Sequence, residues 1–252
     1  MSVELNHRFD GPGDGPVLVL SNSLGTALEM WEDQLPTLTE RFRVLRYDQR
    51  GHGGSPAPPG PYTVGELAGD VLALLDGLGL ERVSWCGTSL GAMTGMRIAI
   101  DEPARIDRLA LCCTSPHLGP PEMWAERAAT VRDEGMAAIL DAQLDRWFTP
   151  EFRSGDSEAL GRTRRGLLEA SPDGYASCCE AIAAFDVRDE LGRIGAPTLV
   201  IAGSDDQATP PDHGRLIADS IDGARLVMID GARHLAGIER PAEVSQAMME
   251  HL

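Results

Sequence analysis

Short runs of aliphatic and β-branched residues alternate along this chain with longer stretches of helical period, and no other feature limits its fold as strongly. Val17-Leu18-Val19-Leu20, Arg43–Tyr47, 83–86, 108–113, 198–202 and Arg225–Ile229 each read as a buried strand. The clearest helix between them begins at Thr63, an N-cap with Glu66 three residues later, which is the spacing of a capping box. Leu67, Val71, Leu74, Leu75 and Leu78 then line one face, and Gly79 stops the helix. A helix between two strands brings the second back parallel to the first. The expected class is therefore α/β: a mostly parallel, doubly wound sheet with helices on both faces.

The alternation breaks once. From about 117 to 189 the text is helical throughout, with stretches at 121–132, 136–147 and 175–184, and strands resume after Pro197. We expect a core in two parts, 1–116 and 191–252, and a helical cap inserted at 117–190. Such an insertion falls over the carboxyl edge of the sheet, where open α/β folds bind ligands.

The chain has 252 residues, enough for a sizeable core, and 39 acidic residues against 22 basic ones give a net charge of −17. That balance argues against nucleic acid and against an anionic membrane surface. Every basic residue is arginine, so Schiff-base chemistry on a lysine amine is excluded. Cys86, Cys112, Cys113, Cys178 and Cys179 form neither a disulfide framework nor a zinc spacing. They read as core filler in a reducing, cytoplasmic protein. No signal peptide, membrane-spanning run, metal or organic cofactor is expected.

Gly87-Thr88-Ser89-Leu90-Gly91 follows a strand and opens a helix. In that slot Gly-x-Ser-x-Gly is a nucleophile elbow. Its turn is too tight for side chains two before and two after the serine, and it lifts the hydroxyl above the sheet edge. A serine needs a base held by an acid, and in this order of elements both follow it in the chain. Of the later histidines, His251 is penultimate and His213 lies too near the preceding strand to meet an acid on it. His234, in the loop after Arg225–Ile229, is the expected base. Asp206, beyond the strand 198–202, is the expected acid, with Asp205 as runner-up. The Leu90 amide and one from Asn22-Ser23-Leu24-Gly25-Thr26, best Leu24, would stabilise an oxyanion. Arg50 and His52, in Asp48-Gln49-Arg50-Gly51-His52-Gly53, read as a hydrogen-bonded brace.

With these motifs placed, the chain resembles the α/β-hydrolase superfamily over essentially its whole length, and within it the 3-oxoadipate enol-lactonases. Ser21-Asn22-Ser23-Leu24-Gly25-Thr26 and Arg146-Trp147-Phe148-Thr149 carry the narrower likeness. The elbow, the Asp48–Gly53 segment and His234-Leu235-Ala236-Gly237-Ile238-Glu239-Arg240-Pro241 carry the broader one. The resemblance assigns Ser89, Asp206 and His234 as nucleophile, acid and base. It implies hydrolysis of an anionic enol-lactone to an open-chain keto diacid. A carboxylate substrate needs a local cation in so acidic a chain, and Arg146, beside Trp147 as an apolar wall, is the expected anchor. Arg162, Arg164 and Arg165 read as a solvated helix face. Alternatives left open are a cofactor-free perhydrolase of the non-haem haloperoxidase kind, a carboxylesterase, a carbon–carbon bond hydrolase, and a ligand receptor retaining a hydrolase pocket.

Overall fold

A computed structural model, which describes residues 2–252, contains seven strands in one sheet. They are β1 His7–Asp10, β2 Val17–Ser21, β3 Arg43–Tyr47, β4 Val83–Thr88, β5 Ile106–Cys112, β6 Thr198–Gly203 and β7 Arg225–Ile229. Their spatial order is β1-β3-β2-β4-β5-β6-β7. All neighbours are parallel except β1, which pairs antiparallel with β3. The six strands read from the sequence are all present, and the α/β class holds. β1 was not foreseen: His7-Arg8-Phe9-Asp10 is polar because it forms the sheet's edge, where one side faces water.

The winding reverses at β2, whose neighbours are β3 on one side and β4 on the other. Loops leaving β2 and β4 therefore diverge above the carboxyl edge and open a crevice at that switch point. Both the elbow and the loop from Asn22 to Thr26 stand there. β4 is buried at every position, and Trp85 within it is fully enclosed, its indole N–H donating to Gly91 O at 3.2 Å. The capping box at Thr63 is formed in both directions, and the Val64–Gly77 helix ends just ahead of Gly79, whose φ of 69° only glycine adopts readily.

Between β5 and β6 the chain forms helices and turns. The main helices are Pro121–Glu134, Leu140–Trp147, Glu158–Glu169 and Pro172–Ala183. All five cysteines are free and buried. Among the described residues no helix is long and apolar enough to cross a membrane.

Candidate active site

Ser89 is the single residue between β4 and the Leu90–Asp101 helix. Its φ of 54° and ψ of −113° lie outside the regions that L-residues prefer, a strain of about 1–3 kcal/mol. The surroundings impose it. The Ser89 N–H donates to Cys112 O at 2.9 Å, and the Ser89 carbonyl accepts from Thr114 Oγ1 at 2.9 Å. A Cβ added to Gly87 would stand 2.4 Å from the Gly91 backbone, the crowding that the pattern implies. One added to Gly91 would meet instead the carbonyl of Ser21, at 2.3 Å, so that glycine seats the helix against β2.

His234 and Asp206 come from the loops after β7 and β6. His234 Nδ1 lies 2.9 Å from Asp206 Oδ2, which leaves Nε2 as the nitrogen available to a partner. Asp206 is held by three further donors: the Ala208 N–H at 2.8 Å and Thr209 N–H at 2.9 Å on Oδ1, and the Thr209 hydroxyl at 2.7 Å on Oδ2. Burial would raise the Asp206 pKa, but the charge of His234 and the hydrogen bonds from His234 and Thr209 outweigh it and hold the carboxyl below its ordinary value. Asp205 is exposed, and its carboxylate accepts only from the neighbouring Ser204 hydroxyl. Ser89, Asp206 and His234 are 6%, 3% and 4% exposed, so water does little to screen the interactions between their polar groups. Ser89 and His234 line one cavity without a hydrogen bond between them.

The loop after β2 is fixed from several sides. Asn22 donates to Tyr47 O at 2.8 Å and accepts from the Trp31 indole at 2.9 Å. Gly25 N–H donates to His52 Nε2 at 2.9 Å, and His52 Nδ1 faces Arg50 O at 3.2 Å. Arg50 is bound to Asp70 through two nitrogens, at 2.6 and 2.7 Å. The Asp48–Gly53 segment is thus a brace under the loop 22–26. Neither the Leu24 nor the Leu90 amide, among the described residues, donates to a protein acceptor. Free backbone donors at this point of the crevice are what a developing oxyanion needs.

His52 must be neutral to accept from Gly25, and burial lowers its pKa to about 4. The unfolded chain therefore binds a proton near pH 6.5 that the native state refuses until about pH 4. Its contribution to stability is complete above the unfolded value and fades as the pH falls through this window, by about 3 kcal/mol in all. His52→Gln keeps an acceptor without a titration. Denaturant unfolding of that variant between pH 6.5 and 4 should show a shallower loss of stability than the wild type. Parallel slopes would remove His52 as the source.

The cavity encloses about 300 Å³. Its floor includes Ser23, Leu24, Ser89 and His234, and its roof comes from the helices between β5 and β6. Arg146 and Trp147 line it, and Arg146 forms no ion pair among the described residues. Burial, and then the neighbouring charge of Arg127, lower the Arg146 pKa. Arg127 and His213 also line the cavity, and sequence reasoning missed both as site residues. His213 Nδ1 is buried without a partner. Their proximity depends on how two helices pack over the sheet, and no local pattern encodes that. Arg162, by contrast, pairs with Asp33 at 2.8 Å, outside the cavity.

Buried Glu239 ties the two halves of the site together. It accepts from Thr149 N–H at 2.7 Å and from Arg233 N–H at 2.6 Å, while Leu235 N–H donates to Trp147 O at 3.1 Å. The arm carrying Arg146 and Trp147 is thereby fastened to the loop carrying His234. Among the described residues no group of three or more His, Cys, Asp or Glu side chains is placed to hold a metal ion.

The α/β hydrolase fold family matches residues 16–241. The chain is 39% identical over 246 residues to 3-oxoadipate enol-lactonase 2 of Acinetobacter baylyi, covering 98% of this chain and 92% of that one. A protein of Stutzerimonas stutzeri named as a carbamate hydrolase, RutD, is 34% identical, covering 100% and 96%. Among solved structures, the enol-lactonase of Burkholderia xenovorans superposes with a TM-score of 0.96 at 46% identity, covering 98% and 96%.

Proposed function

Because the chain belongs to the α/β-hydrolase fold family and is a hydrolase of lactones or esters, we propose that it opens the enol-lactone of 3-oxoadipate through Ser89, His234 and Asp206. One observation carries this reading: an Asp-held imidazole, an elbow serine and an arginine free of carboxylate partners share one cavity. Residues 117–190 act as a lid in this reading. They supply the arginine, and they shield the reacting carbonyl from bulk water.

His234 Nε2 takes the Ser89 proton as Oγ attacks the lactone carbonyl. Charge gathers on the former carbonyl oxygen, where the Leu24 and Leu90 amides receive it. Collapse expels an enolate, a far better leaving group than an alkoxide, and the His234 imidazolium returns its proton to give an enol. The freed enol tautomerises to a ketone, so the tethered oxygen no longer competes to close the ring. A water deprotonated by His234 then attacks the acyl-enzyme and releases the keto diacid. Throughout, Asp206 holds the imidazole in the tautomer with its proton on Nδ1 and stabilises the imidazolium.

Freshly generated enol-lactone should lose its ultraviolet absorbance in the presence of the wild type. Arg146→Met should raise KM for the lactone by about 10–100-fold, the worth of a charge-assisted contact. A neutral aryl ester should show no matching rise, and equal rises would remove Arg146 as anchor. The similarity to RutD supports a second reading, hydrolysis of an anionic carbamate by the same groups. A higher kcat/KM for a carbamate than for the lactone would favour it.

A further inference from the structure

The cavity holds a second cation that lactone hydrolysis with one anchor leaves unused. Arg127, on the Pro121–Glu134 helix, lines it together with Arg146. Not one Asp or Glu is among the cavity's lining residues, although the chain carries a net charge of −17. Neither guanidinium forms an ion pair with a carboxylate among the described residues. Arg127 is held in place: its guanidinium carbon lies 4.7 Å from the Trp124 ring centre, and that indole is anchored by donating to Leu118 O at 3.0 Å. Arg127 also lies beside the buried Tyr175 hydroxyl, which accepts from Gln143 at 3.2 Å. Two guanidiniums facing one enclosed space repel each other, and an anion between them replaces that repulsion with two attractions.

We propose that Arg127 and Arg146 form a clamp for the remote carboxylate of a short dicarboxylic acyl group, and that the enzyme also hydrolyses open-chain half-esters of four- to six-carbon dicarboxylic acids. The inference rests on Ser89 as nucleophile. It goes further because the clamp and the nucleophile together define an acyl group and require no ring. Ser89 Oγ bonds to the ester carbonyl carbon, and the carbon–oxygen bond to the alcohol breaks. The alcohol leaves with the proton that His234 took from Ser89. Water then cleaves the acyl-enzyme, giving the dicarboxylic acid and restoring the hydroxyl. A cavity of about 300 Å³ suits so small an acyl group, since it stands at the low end of small-molecule sites.

The test compares ethyl hydrogen adipate and ethyl hydrogen glutarate with their diethyl esters, following acid release at constant pH. In the wild type kcat/KM should favour the half-ester by about 10–100-fold. Arg127→Met should reduce that ratio at least tenfold. Arg127→Lys should reduce it less, because an ammonium keeps the charge but lacks the fork. Thermal unfolding of both variants checks that they fold. As a readout without turnover, calorimetric titration of the Ser89→Ala protein should show hexanoate binding at least tenfold more tightly than hexanamide. A wild-type ratio within twofold of unity, or proportional loss on both esters in Arg127→Met, overturns the clamp. If Ser89 is not the nucleophile, Ser89→Ala keeps turning over the lactone and both esters. If only the clamp is wrong, lactone and diester turnover persist without discrimination.

Discussion

Replacing Ser89 with alanine should lower kcat for the lactone, and for any ester the protein hydrolyses, by about 10⁵–10⁶-fold while the folded state survives. The first half follows from the proposed chemistry, in which His234 and the Leu24 and Leu90 amides serve a covalent step and without the hydroxyl can promote only direct attack by water. The second half follows from the contacts. The elbow is held through the Ser89 main chain, by Cys112 O and Thr114 Oγ1, and the side-chain oxygen takes no part in it. Alanine keeps the same backbone at φ 54°, so strain is neither added nor released. Initial rates with an aryl ester, together with thermal midpoints, measure both halves. Activity within tenfold of the wild type at an unchanged midpoint would mean that another group, or a bound water, is the nucleophile.

What the sequence shows and what it hides in this molecule divide along one physical line. The strands β2 to β7 are legible because a parallel strand covered on both faces must be apolar along its length, as Val17-Leu18-Val19-Leu20 is. The elbow is legible because its glycines answer to backbone atoms within a few ångströms, Gly91 for Gly87 and Ser21 for Gly91. His234 and Asp206 could be located because each leaves the carboxyl end of its own strand, so strand order alone delivers them to one edge. Side chains carried by the helices between β5 and β6 are different. Which face of the Pro121–Glu134 helix looks down on Ser89 is decided by packing against Pro172–Ala183 and the sheet, across long sequence separations. Arg127 was unreadable for that reason, whereas Arg146 could be inferred only through a family likeness and a charge argument. Glu239 illustrates the same limit. An isolated glutamate at the end of the short helix Ala236–Glu239 gives no sign that it will be buried, accepting from the backbones of Thr149 and Arg233.

Asp206→Asn should lower kcat by about 10⁴-fold with little effect on folding, and Asp205→Asn should change it by less than twofold. The asparagine can keep its oxygen at the Oδ1 position, where the Ala208 and Thr209 amides donate at 2.8 and 2.9 Å. Its NH2 group then occupies the Oδ2 position, 2.9 Å from His234 Nδ1. Two donors cannot face each other there, so the imidazole must present a bare Nδ1 and carry its proton on Nε2. That nitrogen then has no lone pair with which to accept the Ser89 proton. The tautomer, not the position of the ring, is what the substitution changes. Asp206 also loses its charge, and with it the partner that would stabilise an imidazolium in a site only a few per cent exposed. Asp205 shares none of this, since its carboxylate is exposed and bonded to Ser204 at 2.9 Å. The measurement is kcat for both variants on one ester, with thermal midpoints as the check on folding. Full activity in Asp206→Asn, or a large loss in Asp205→Asn, would transfer the acid's role and with it the alignment of the imidazole that the proposed mechanism requires.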